Sequence, residues 1–442
     1  MMAIMTTLTR LTQALRRLYD SHPQSARLAL AVLVLQGVWR PVLVKWLLRW
    51  HYRATAETPQ LYYQKTAENE ALLRECRVIT QEKYYAPWYL FNGHLQTFQL
   101  SREDQRVEPL VKYERQTLDM PDGGILSLDW AIPPRNDRTI PRVSEIDPTR
   151  RTMLILPGLT GGSNDFYIRS VVHRMVALGW QVVVMNARGC ANTPLKNAQF
   201  FCIAYTEDLR YVLKHLNTKY QFRNEALALV GFSMGSNVVV KYLGEEQEHA
   251  KTQVTAAISV GNPFDVVACS QNLSSTLFYR LTYEAVLTKN LLRLFFHQSN
   301  AHEVFHDHPD LDLVSLRQSK TLVDFDDRFT RIVFNYPSVF AFYSDASSGP
   351  RLDNVRVPLL CLNAKDDPIS TAGAIPYEAT QRNSNVILCV TERGGHLAFY
   401  EGEHEGSKTE KSGKSAAVST WSAKVIGEYA ESVRKQHIRH KE

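Results

Sequence analysis

Gly231-Phe-Ser-Met-Gly235 follows the apolar run Ala226–Val230 and precedes a helix-like run from Asn237 to Leu243. A buried strand that turns sharply into a helix belongs to a sheet covered by helices on both faces. In a G-x-S-x-G elbow the flanking glycines let the serine occupy a strained turn with its hydroxyl exposed, which makes Ser233 a candidate nucleophile. The plainer alternative is a glycine-rich turn in which the serine only caps the helix.

The flanking sequence agrees with such a sheet. Val111–Asp119 and Ile125–Trp130 flank the turn Pro121-Asp-Gly-Gly124 and read as an antiparallel hairpin. Strand-like runs follow at Thr152–Leu156, Gln181–Met185, Ala226–Val230, Ala256–Val260, Pro358–Leu362 and Val386–Val390, with helical stretches such as Tyr167–Gly179 and Thr206–Thr218 between them. This predicts an α/β fold with a mostly parallel sheet opened by an antiparallel hairpin. The stretch Ala54–Glu82 reads as polar and helical, and a last helix is expected over Trp421–His437. Between Asn262 and Arg351 the alternation gives way to an aromatic-rich helical insertion, placed where it can cover the carboxyl edge of the sheet as a lid or pack as an ordinary subdomain. Glu401–Ser415 reads as a mobile surface loop.

At 442 residues the chain has room for about three domains or for one decorated α/β domain. Its net charge of +6 is concentrated in residues 1–53, where eight Lys or Arg face only Asp20, so the remainder is close to neutral. That distribution argues against nucleic-acid binding by the folded part and favours a membrane surface as partner of the N-terminus. Leu28–Trp39 is uncharged but reaches only about 18 Å as a helix, short of a bilayer core. Beyond Arg40 and Pro41, Lys45, Arg49 and Arg53 form a basic stripe beside Trp46 and Trp50. A single-pass signal-anchor reaching Leu48, an in-plane interfacial helix and a helix buried against the domain all fit residues 1–53, and residues 54–442 form the α/β domain. The six cysteines are scattered, several within apolar runs, which suits reduced core thiols and a reducing compartment such as the cytosol.

A serine nucleophile needs a histidine base oriented by a carboxylate, and elbow-bearing folds supply them in the chain order Ser, Asp, His. Asp366-Asp-Pro368 and Gly394-Gly-His396 each follow a predicted strand, where such sheets place their chemistry. His396 is the candidate base; Asp367, directly before the proline, is preferred as its partner, with Asp366 the alternative. The oxyanion donors are expected to be the amides of Met234 and of Leu159 in Leu156-Pro-Gly-Leu-Thr-Gly-Gly-Ser163, with Thr160 the alternative to Leu159. No metal or organic cofactor is called for. His302 and Asp307 stand in a His-x4-Asp spacing that is common by chance, and His94 is read as structural, pinning the N-terminal segment to the domain.

Taken together, Gly93-His-Leu-Gln-Thr97, Asp122–Trp130, Leu156–Ser163, Asn186-Ala-Arg-Gly189, Gly231–Asn237, Asn262-Pro-Phe-Asp265, Asp366-Asp-Pro368 and Gly394-Gly-His396 are similar to the α/β-hydrolase-domain lipid esterases of the fourth AB-hydrolase subfamily. That subfamily includes membrane-anchored phospholipases and lipases, YheT-like esterases and yeast ethyl-ester synthases, and the resemblance covers residues from about 84 to about 402. It implies an α/β-hydrolase fold, a Ser233–Asp367–His396 triad and hydrolysis of acyl-lipid esters, often with an N-terminal membrane anchor. Two other functions fit the same sequence: an acyltransferase or ester synthase with an alcohol acceptor, and a non-catalytic lipid-binding protein.

Overall fold

The computed structural model describes Gln24 and residues 35–103, 110–132, 146–220, 227–402 and 420–439. The chain divides into two units, one reaching Ala56 and one beginning at Glu57. In the first, a short π-helical turn, Leu35–Trp39, runs into the helix Arg40–Thr55. Its indoles Trp39, Trp46 and Trp50 are exposed, as are Val42, Leu43 and Leu47. Among the described residues no helix is long and apolar enough to cross a membrane; Leu28–Val34, the first part of the apolar run, lies outside them.

The second unit is built on one nine-stranded sheet. In chain order its strands are β1 (Gln60–Tyr63), β2 (Lys112–Asp119), β3 (Ile125–Ile132), β4 (Thr152–Leu156), β5 (Gln181–Asn186), β6 (Leu227–Phe232), β7 (Ala256–Val260), β8 (Leu359–Ala364) and β9 (Val386–Thr391). They lie in the order β1-β9-β8-β7-β6-β4-β5-β3-β2. β2 and β3 form the expected hairpin, and β3 joins β5 antiparallel. From β5 through β9 every pairing is parallel. β1 corrects the helical reading of Ala54–Glu82: Gln60–Tyr63 pairs antiparallel with the edge of β9, and the helices Ala67–Glu75 and Arg77–Thr80 follow it.

Strand side chains alternate between two cores, as the period of two requires. Met153 and Ile155 face Ile168, Val171 and Met175 of the helix Phe166–Ala177 and Val425, Ile426 and Tyr429 of the helix Trp421–Arg439. Leu154 and Leu156 face the opposite side, where Leu209, Val212, Leu213 and Leu216 form the apolar stripe of the helix Glu207–Tyr220. Between β7 and β8 the insertion is wholly helical, with a third cluster around Phe295, Phe305, Phe325 and Phe329. All six cysteines are buried and unpaired. Residues 403–415 of the expected mobile loop lie outside the described residues.

Candidate active site

Ser233 sits between β6 and the helix Met234–Glu246 with φ 51° and ψ −117°, a left-handed conformation that is strained for a residue with a Cβ. The turn closes because Gly231 and Gly235 have no side chains. A Cβ on Gly231 would lie 2.4 Å from the Gly235 carbonyl, and one on Gly235 would lie 2.4 Å from the Leu156 carbonyl. The Ser233 amide donates to Val260 O at 2.9 Å, fixing the elbow to β7. Asn237, one turn into the helix, donates through Nδ2 to Ala346 O at 2.7 Å, which ties the elbow to the end of the insertion.

The loops after β8 and β9 bring the expected partners to this serine. His396 Nε2 lies 2.8 Å from Ser233 Oγ. His396 Nδ1 lies 2.9 Å from Asp367 Oδ2 and 3.2 Å from Oδ1. Asp367 Oδ1 also accepts from the amides of Ile369 at 2.8 Å and Ser370 at 2.9 Å, so a buried carboxylate has its lone pairs matched. With Nδ1–H directed at Asp367, the lone pair on Nε2 is free to accept the Ser233 proton, the arrangement that general-base catalysis needs. The neighbouring Asp366 does not touch the imidazole. Its Oδ1 accepts from the Gly395 amide at 2.9 Å, and burial, ahead of the charge of Asp367, pushes its carboxyl up to about 6.

Thr97, to which the sequence assigns no role, is the second support of the histidine. Its Oγ1 accepts from the His396 amide at 2.9 Å and donates to Gly93 O at 2.7 Å. The Gly93–Thr97 motif therefore holds the histidine loop. His94 corrects the reading as a tether of the N-terminal segment: its Nδ1 lies 2.7 Å from Tyr283 OH and its ring packs edge-on to Phe278 in the insertion. Aromatic partners separated by so many residues in sequence cannot be assigned from the local motif.

The loop after β4 is held from below. The Gly158 amide donates to Tyr167 OH at 3.0 Å, and the Ser163 amide to Asn186 Oδ1 at 3.0 Å, while Ser163 Oγ donates to Asp129 at 2.6 Å. Leu159, Met234, Ser233 and His396 line one apolar cavity of about 140 Å³; Thr160, at φ 58°, does not. His302 and Asp307 do not line it either. Leu273, Leu287, Leu291 and Phe342 of the insertion form its wall, with two carboxyls among them, Glu284 and Asp326.

Burial raises the Asp326 carboxyl from 3.8 to about 6, against hydrogen bonds from Thr330 Oγ1 at 2.6 Å and Tyr343 OH at 2.7 Å that lower it. Between these two values the folded chain keeps a proton that the unfolded chain has released. The contribution of Asp326 to stability therefore falls as pH rises across that window. Asp326→Asn is expected to remove this dependence: relative to the native chain, its stability should improve by about 2 kcal/mol between about pH 4 and about pH 7, read from urea midpoints. A difference that stays constant with pH would show that Asp326 does not carry the shift.

A family model described as the alpha/beta hydrolase fold matches residues 151–403. The chain is 35% identical to "Phospholipase ABHD3" of Homo sapiens, over 80% of this chain and 82% of that protein. It is 31% identical to "Embryogenesis-associated protein EMB8" of Picea glauca, over 79% and 72%, and 30% identical to "Monoacylglycerol lipase" of Saccharomyces cerevisiae, over 71% and 75%.

Proposed function

Because the chain belongs to the α/β-hydrolase family, in its lipid-esterase branch, and is a carboxylic ester hydrolase, we propose that it cleaves acyl-lipid esters through an acyl-enzyme on Ser233. The observation that carries this reading is the relay from Ser233 Oγ through His396 to Asp367, set in the wall of an apolar cavity. Ser233 Oγ attacks the ester carbonyl carbon while His396 Nε2 takes its proton, and the Met234 and Leu159 amides hold the oxyanion. The bond to the leaving oxygen then breaks as His396 returns the proton to the departing alcohol. Water, deprotonated by the same nitrogen, attacks the acyl-enzyme and releases the fatty acid and free Ser233. Asp367 holds the imidazolium formed in each half. In this reading the helix Arg40–Thr55 lies in a membrane surface, with Trp39, Trp46 and Trp50 at headgroup level and the stripe Lys45, Arg49, Arg53 toward anionic lipid.

The test is hydrolysis by the purified chain of a panel of phospholipids and glycerides of graded acyl length. Leu291, buried in the cavity wall, sets an internal control. Leu291→Trp fills part of the acyl space and is expected to lower kcat/KM for long acyl chains by about tenfold or more while sparing a short soluble ester. Release of fatty acid from no member of the panel would overturn the proposal. An unchanged chain-length profile in Leu291→Trp would remove this cavity as the acyl site.

A further inference from the structure

The helical run Leu277–Gln298 is apolar on two faces. One face lines the active-site cavity through Glu284, Leu287 and Leu291. The other is open: Leu277 is 70% exposed, Leu281 68%, Phe278 49% and Val286 47%. The exposed charges of the run are all basic, Arg280, Lys289 and Arg293, and its single acid, Glu284, is buried on the cavity side. A second exposed aromatic group, Trp88, Tyr89 and Phe91, each more than half exposed, lies on a segment without an acid from Pro87 to Asn92, directly before the helix Gly93–Arg102. Asn92 caps that helix, and the helix meets the run: His94 bonds Tyr283, and Phe98 stacks on Tyr283 with ring centroids 5.6 Å apart.

We propose that this surface, the outer face of Leu277–Arg293 together with Trp88, Tyr89 and Phe91, docks the catalytic unit onto a lipid bilayer bearing anionic headgroups. Exposed leucine and aromatic side chains on a run whose own exposed charges are basic match the chemistry of a headgroup boundary: apolar groups enter the acyl edge while arginine and lysine stay with phosphate. The charge pattern favours that occupant over a second copy of this chain, since two basic faces would repel. Because the same helix walls the cavity, a lipid ester could pass from the bilayer to Ser233 beside this face. That last step rests on the proposed esterase activity; the docking does not.

The experiment uses the full chain and vesicles of ether-linked phosphatidylcholine and phosphatidylserine, which an esterase cannot cleave. Leu281→Cys, labelled with an environment-sensitive fluorophore, is compared with labelled Glu378→Cys, on a helix packed against β1 and β9 where the glutamate side chain is 94% exposed; the native cysteines are buried. The expected result is a blue shift and quenching by lipid-borne quencher at Leu281 but not at Glu378. Lys289→Gln with Arg293→Gln should weaken the phosphatidylserine-dependent part by about fivefold for each charge. A Leu281 label that stays in water on vesicle-bound protein overturns the proposal. So does one already shielded without vesicles, which would mean that another part of the chain or a second copy covers the face. Insertion at Leu281 by a chain that hydrolyses no ester would support the docking and count against the esterase reading alone.

Discussion

Ser233→Ala is expected to lower kcat/KM for ester hydrolysis by about 10⁴–10⁶-fold and to abolish covalent labelling by a fluorophosphonate probe. The size follows from what the hydroxyl does in the proposed cycle. Without Oγ there is no acyl-enzyme, and only the binding cavity and the Met234 and Leu159 amides remain to act on a slow direct attack by water. Fold is not at stake, because the elbow is held by the Ser233 amide to Val260 and by the close approaches at Gly231 and Gly235, none of which uses the hydroxyl. A companion variant separates chemistry from strain. Ser233→Gly should be equally inactive yet about 1 kcal/mol more stable than Ser233→Ala, because glycine adopts φ 51° without a Cβ penalty. Persistent labelling of Ser233→Ala, or an unlabelled native chain, would remove Ser233 as the nucleophile.

The elbow was legible in the sequence because its constraint is local: two glycines, a strand before and a helix after are all encoded within about twenty residues. The order Ser233, Asp367, His396 could be read as well, since each follows a strand whose apolar run is continuous and buried on both faces. β1 could not be read in the same way. Four residues, Gln-Leu-Tyr-Tyr, carry too little periodicity, and they are a strand only because the edge of β9 supplies hydrogen-bond partners from the far end of the chain. Thr97 was hidden for a similar reason. A threonine one turn into a short helix looks local, and its role becomes visible only when the His396 amide, 299 positions away, is placed on its hydroxyl. Asp366 and Asp367 are the intermediate case: adjacent carboxylates in one turn are equivalent in sequence, and the backbone of the turn aims one at the imidazole and the other at the Gly395 amide.

That divergence gives the second large expected effect. Asp367→Asn should lower kcat/KM by about 10⁴-fold with little loss of stability. The asparagine carbonyl can still accept from the Ile369 and Ser370 amides, which leaves its NH₂ group facing His396 Nδ1. A donor there requires Nδ1 to be the acceptor, so the ring proton moves to Nε2, and Nε2 can no longer take the proton of Ser233. Asp366→Asn should behave differently. Its carbonyl still accepts from Gly395, and no group on the imidazole changes partner, so kcat/KM is expected to stay within about tenfold of the native value. The pH dependence sharpens the contrast. The native Asp366 carboxyl, pushed up to about 6 by burial, is neutral below that value and resembles the amide, so any deficit of Asp366→Asn should shrink as pH falls through 6. The tautomer defect of Asp367→Asn has no such escape over the same range. Equal losses in the two variants would mean that the pair acts as one acid, and the assignment of Asp367 alone to His396 would fall.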